Sequence, residues 1–128
     1  SKSDVQLTTI RNDYAGEDLG LTFRITVSGN VKNPSITHVE KNQIMQIGTD
    51  AMPLNLIFGD VLEITTGINN KHVYLIRNNV KTEINQYLSE QSEYIQLSRG
   101  NNTIGYSAAS GVSYMAINIS YRYRYLGV

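Results

Sequence analysis

The sequence predicts an all-β domain, an antiparallel β-sandwich of about ten strands, and three observations carry that expectation. Apolar and polar residues alternate with a period of two along most of the chain. Turn-forming residues recur roughly every 8 to 12 positions, and no stretch shows the 3.6-residue rhythm of an amphipathic helix. The 128 residues suit one domain, and a chain of that size buries roughly 65 to 70% of the surface it exposes when unfolded. Residues 1–128 therefore read as a single β-sandwich domain held together by its core.

The alternation is clearest where Leu21, Phe23, Ile25 and Val27 are interleaved with Thr22, Arg24, Thr26 and Ser28, the signature of a half-buried strand. The same reading places Val5, Leu7 and Thr9 on the apolar face of one strand, and Leu54, Leu56 and Phe58 on that of another. Turns separate these runs at Ser28-Gly29-Asn30, Asn33-Pro34 and Phe58-Gly59-Asp60, before a strand from Val61 to Thr66. Lys71 to Arg77 and Val80 to Ile84 are divided by Asn78-Asn79. Asparagine tolerates positive φ better than other non-glycine residues, so this pair predicts a two-residue type I′ hairpin. Asn85 to Ser92 fits either a single helical turn or an irregular loop before Tyr94-Ile95-Gln96-Leu97. Ser98 to Asn102 forms a turn cluster ahead of a strand from Thr103 to Ala109, and Ser110-Gly111 turns again. Met115, Ile117, Ile119, Tyr121, Tyr123 and Tyr125 then predict one long final strand.

Charge and composition exclude several functions. Eleven basic and eleven acidic residues cancel, so the broad positive field that draws nucleic acid or anionic lipid is missing, and no nucleic-acid partner is expected. No apolar run approaches the ~20 residues of a bilayer-spanning helix, and no membrane insertion is expected. Without cysteine, no disulfide framework, thiolate metal site or cysteine nucleophile is available. The opening Ser1-Lys2-Ser3 lacks both a methionine and the shape of a signal peptide, and is expected to begin an excised piece of a longer protein.

Residues able to do chemistry are few. His38 and His72 sit in strand-like segments without a second histidine at ligand spacing, and neither is a site candidate; strand alternation puts His72 on the face of Tyr74 and Ile76, where it reads as a surface or core-edge histidine. Asp60 follows Gly59, where an aspartate caps its own turn; Glu63 stands close by, and Glu90 and Glu93 belong to a solvated loop. No phosphate loop or nucleophile elbow is present, so no enzyme activity and no cofactor or metal site is expected. Tyrosine is the unusual signal, with nine tyrosines and no tryptophan. Tyr121, Tyr123 and Tyr125 continue the Met115 face as core-edge packing or as an interface or sugar-stacking stripe, while Arg122 and Arg124 face the other side. Arg122, Arg124 and Tyr125 are the candidate interface residues.

Several segments carry a family resemblance. Ile84-Asn85 through Leu88, Ser92-Glu93-Tyr94-Ile95-Gln96-Leu97, Gly100-Asn101-Asn102-Thr103-Ile104 and Tyr121 through Val128 resemble the C-terminal domain of siphophage distal tail proteins, a group with prophage copies in bacterial chromosomes. Asn33-Pro34-Ser35-Ile36-Thr37 and Gly59-Asp60-Val61-Leu62, followed by Ile64-Thr65-Thr66, fit the same order. The resemblance implies a galectin-like, jelly-roll sandwich joined in the full-length protein to an N-terminal domain that forms a homohexameric ring. It further implies a non-enzymatic adaptor at the distal end of the virion's tail, made in the host cytoplasm. Its partners would be the tail tube, the tail-tip hub and a receptor-binding protein, with the isolated fragment a monomer or weak oligomer. A carbohydrate-binding module for a host glycan is the alternative. Galectins hold galactose with a His-x-Asn-x-Arg strand and a tryptophan; here His72 is followed by Tyr74 and Ile76, so that mode of recognition is not expected.

Overall fold

The structure, a computed structural model, describes residues 6–12 and 21–121. Ten strands appear in order: β1 (Gln6–Asn12), β2 (Leu21–Val27), β3 (Val31–His38), β4 (Gln43–Gln46), β5 (Asn55–Leu56), β6 (Val61–Gly67), β7 (Asn70–Arg77), β8 (Val80–Glu83), β9 (Gly100–Ser110) and β10 (Met115–Tyr121). They form two antiparallel sheets, β1-β9-β3-β4 with β5 on β3, and β10-β2-β6-β7-β8. The expected all-β sandwich is what the chain adopts.

The core lies between the sheets. Leu21, Phe23, Ile25 and Val27 are all buried, as their alternation predicts, and Leu62, Ile64 and Val73 extend the layer from β6 and β7. The other sheet contributes Val31, Ile36, Met45, Ile104 and Ala108. Fully burying one such aliphatic or aromatic side chain is worth roughly 1.5 to 3 kcal/mol, so this shared layer is the main stabilising term. The hairpin between β7 and β8 turns through Asn78 at φ 53° and Asn79 at φ 64°, the two positive values a type I′ turn requires.

Two apolar expectations are corrected. The β1 register sets Thr8 opposite Ile104 and Ile10 opposite Asn102, which turns the even residues inward. Ile10 packs against the core, whereas Leu7, opposite Gly105, is 63% exposed. Leu54 and Leu56 are buried as expected, but the strand shrinks to β5 and Phe58 is 77% exposed, because Asp60 bends the chain at Ile57. Tyr94 to Leu97 forms no named strand, although Ile95 and Leu97 are buried. The polar stretch before it is one 3-10 turn at Asn85–Tyr87 followed by irregular chain. The final strand is described as far as Tyr121, and its expected continuation to Tyr125 lies outside the described residues.

The four sheet edges are treated differently. Beside β4, Gly48 N–H donates to Tyr87 O (2.8 Å), Ser89 N–H to Gln46 O (3.0 Å) and Glu93 N–H to Ile44 O (2.8 Å), so residues 87–93 satisfy that edge. β8 is four residues long and carries Lys81 and Glu83, a combination that discourages pairing with another strand. The edges β1 and β10 flank an open groove of 720 Å³.

Candidate functional site

Arg122, Arg124 and Tyr125, the interface candidates from sequence, lie outside the described residues. The remaining titratable candidates are placed clearly. His38 is fully buried. Its Nδ1 accepts Lys41 N–H (3.1 Å), so Nε2 carries the hydrogen and donates to Asn102 Oδ1 at 2.6 Å. Ser98 N–H also donates to that oxygen (2.9 Å), and Asn102 Nδ2 donates to the carbonyls of Ser98 (2.9 Å), Gly100 (3.0 Å) and Ile10 (3.4 Å). This network ties β1, β3 and β9 together at one end of the sandwich. Nearby, both oxygens of Glu40 accept from Thr103, one from its N–H and one from its hydroxyl, at 2.7 Å each. Those two bonds hold the Glu40 carboxyl below its ordinary value.

At the opposite end, Asp60 caps its turn as the sequence predicts. Its Oδ2 accepts Ile57 N–H (2.8 Å), and its own N–H donates to Ile57 O (3.0 Å). Arg77 then grips the carboxylate with two donors, Nε to Oδ1 (3.0 Å) and Nη2 to Oδ2 (2.6 Å), while Nη2 also reaches Asn55 O (3.2 Å). Burial raises the Asp60 carboxyl, but the hydrogen bonds from Arg77 and Ile57 and the arginine charge more than offset it, leaving it below its ordinary value.

The outer face of the β10-β2-β6-β7-β8 sheet carries a cross-strand row, Asn118, Arg24, Glu63, Tyr74 and Glu83, in register. Glu63 accepts from Arg24 at 3.0 Å and pairs with Lys81 at 2.8 Å. The Lys81 contact is the main cause of its lowered carboxyl value. The Lys81 ammonium lies 4.4 Å from the centre of the Tyr74 ring. His72 stacks on the same tyrosine at 5.3 Å and donates to Glu83 at 2.7 Å. The shared face of His72, Tyr74 and Ile76 is thus as expected, and its charges are spent on one another. Neither the buried His38 network nor the Asp60–Arg77 pair was legible in local patterns, because the partners stand 64 and 17 residues apart.

Among the described residues, neither surface hollow brings an acid and a base together. The β1/β10 groove is lined by Ile10, Tyr106, Ile117 and Ile119 with Arg11 as its charged residue, and a 250 Å³ hollow over Ser35, Gln46 and Ser107 has Asp50. Glu90 and Glu93 are exposed. Among the described residues, no group of three or more histidines and carboxylates is placed to hold a metal ion. What these surfaces offer is contact area.

Comparison with known proteins agrees with a structural role. Residues 17–125 match the family described as siphovirus-type tail component, C-terminal domain. No curated protein and no solved structure matches the chain. With the match spanning most of its length, from before β2 to beyond β10, the chain belongs to the siphovirus-type tail component family, as a C-terminal domain of that family.

Proposed function

We propose that this domain is a non-enzymatic adaptor at the distal end of a phage or prophage tail, in the baseplate or tail-tip hub, where it supports host attachment. The observation that carries the proposal is the family match across residues 17–125. The tail tube, tail-tip hub and receptor-binding protein are its proposed neighbours, and the full-length protein a homohexamer whose ring is formed by a separate N-terminal part. The isolated domain is then a monomer or weak oligomer. Arg122, Arg124 and Tyr125 follow directly on the edge strand β10 and are proposed to contact those neighbours.

Immunogold labelling of intact tails tests the location. Label confined to the tip is expected, and label along the tube or on the head would overturn the proposal. Charge reversal at Arg122 and Arg124 is expected to leave folding unchanged and to weaken tail-tip assembly.

A second reading, binding of a cell-surface glycan, is favoured by the stacked His72–Tyr74 pair on an exposed sheet face. Calorimetry with host cell-wall polysaccharide separates the two. Binding at millimolar sugar that Tyr74→Ala abolishes would establish the second reading, and no heat at that concentration removes it.

A further inference from the structure

The outer face of the β1-β9-β3-β4 sheet carries the 250 Å³ hollow, which the family assignment does not account for. Ser35 stands directly opposite Ser107 on β9 and Gln46 on β4, so the three share one face, while Ile36 and Met45 beside them point into the core. Asn33 and Asp50 complete the wall. Asn33 is 6% exposed, and its amide is fixed in one orientation, because Oδ1 accepts Leu54 N–H (2.9 Å). Its Nδ2 has no hydrogen-bond partner among the described residues. A largely buried donor left unmade is costly, so this group calls for an acceptor in the hollow it lines. The Asp50 carboxylate, the Ser35 hydroxyl and Gln46 Oε1 are also uncommitted among the described residues, Gln46 Nε2 being spent on Gly48 O (2.9 Å).

We propose that this hollow binds a neutral, hydroxyl-rich ligand, a single sugar unit, with Asn33 Nδ2 donating to one hydroxyl oxygen and the Asp50 carboxylate accepting from a neighbouring hydroxyl. Each hydroxyl both donates and accepts, so two adjacent ones satisfy an amide donor and a carboxylate acceptor together. The wall disfavours the other classes. No basic residue lines it and Asp50 does, so phosphate and carboxylate ligands are repelled. Its apolar lining is confined to Ala108 and Ala109, so an aromatic or aliphatic ligand gains little burial. An ammonium group would be drawn to Asp50 but would leave Asn33 Nδ2 without an acceptor. The hollow lies on a sheet face whose backbone groups are already paired, so a peptide strand finds no edge to join. At 250 Å³ it is smaller than the ~300 to 1,000 Å³ of sites for drug-sized ligands, which suits one ring. Both key groups are held before the ligand arrives. Asn33 is fastened to Leu54 with Gly48 packed against its Oδ1, and the turn bearing Asp50 is closed by Thr49 N–H to Met52 O and Met52 N–H to Thr49 Oγ1, at 3.0 Å each. The site lies on the sheet opposite the His72–Tyr74 pair, and it depends neither on that pair nor on the tail role.

The test is an NMR titration of the 128-residue chain with glucose, galactose and N-acetylglucosamine, which reads the Asn33 side-chain amide directly, and with glucose 6-phosphate as the charged control. At least one neutral sugar is expected to shift that amide and the backbone amides of residues 46–50 saturably. The dissociation constant should be millimolar, because no aromatic ring lines the hollow to stack on the sugar. Asp50→Ala is expected to raise it about tenfold or more, Ser35→Ala to raise it less, and Tyr74→Ala to leave it unchanged. Asn33→Ala should abolish binding; because it also breaks the Leu54 contact, the exposed Asp50→Ala decides by the same readout if that variant fails to fold. Absence of any shift at Asn33 with all three sugars, or saturable shifts that Asp50→Ala leaves intact, would overturn the site. Shifts confined to the Tyr74 face and removed by Tyr74→Ala would establish the second reading and overturn this one. Tighter binding of glucose 6-phosphate than of every neutral sugar would overturn the ligand class assigned here.

Discussion

His38 Nε2 stands 2.6 Å from Asn102 Oδ1 in the interior of the domain, and neither side chain is reached by solvent. Because backbone groups of Ser98 and Gly100 hold the Asn102 amide in one orientation, the asparagine can only accept from the histidine. Removing one member therefore strands several buried groups at once. Asn102→Ala is expected to cost roughly 2 to 4 kcal/mol. The measurement is chemical denaturation, in which the midpoint should fall; a midpoint equal to wild type would show that the network contributes nothing.

Acid should weaken the opposite end through Asp60. Its carboxyl lies below its ordinary value of 3.8 in the folded protein. Its stabilisation is therefore present above the unfolded value and is lost as pH falls through the folded one. Stability should decline below about pH 4, and Asp60→Asn should flatten that part of the curve. Arg77 is 41% exposed, so solvent screens the pair. Arg77→Met is accordingly expected to cost about 1 to 3 kcal/mol at neutral pH, less than a fully buried ion pair would. Denaturant titrations between pH 3 and 7 provide the check, and parallel curves for wild type and Asp60→Asn would refute the linkage.

The β7–β8 turn allows a prediction of opposite sign. Asn79 sits at φ 64°, where glycine pays no Cβ penalty. Asn79→Gly should leave stability within about 0.5 kcal/mol or raise it, while Asn79→Ala should lower it by about 1 kcal/mol. Thermal melts of the two variants should fall on either side of wild type or with Ala alone below it. Equal losses for both would mean that the Asn79 side chain, rather than its backbone, holds the turn.

What could be read in advance was what depends on neighbours in the chain. The β2 rhythm, the Asn78-Asn79 turn and the Asp60 cap are local statements, and each holds in the structure. The inward face of β1 is not local. It is set by a register on β9 some ninety residues away, which puts Ile10 over Asn102 and leaves Leu7 outside. Phe58 keeps the parity of Leu54 and Leu56, but the bend at Ile57 removes the strand that would have made parity meaningful. His38 shares the parity of buried Ile36, yet only a partner from another strand explains why a histidine is tolerated there.

Gly48 makes the sharpest stability prediction. Its φ is +108°, outside the region side chains accept, and a Cβ placed on it would lie 2.2 Å from Asn33 Oδ1 and 2.8 Å from Leu54 N. Both neighbours are committed: Asn33 Oδ1 accepts Leu54 N–H (2.9 Å), and Asn33 N–H donates to Leu54 O (2.9 Å), which fastens the chain before β5 to β3. Asn33 itself holds φ 51° to make those bonds, so it has little room to yield. Gly48→Ala thus adds backbone strain to the breaking of a buried double contact, and a loss above about 3 kcal/mol is expected. Gly59, at φ +93° with nothing within 4 Å of a built Cβ, isolates the strain alone. Gly59→Ala should therefore cost only about 1 to 2 kcal/mol. Comparing the two denaturation midpoints measures the steric part directly, and a Gly59 loss as large as that at Gly48 would show that backbone strain, not the Asn33 contact, dominates.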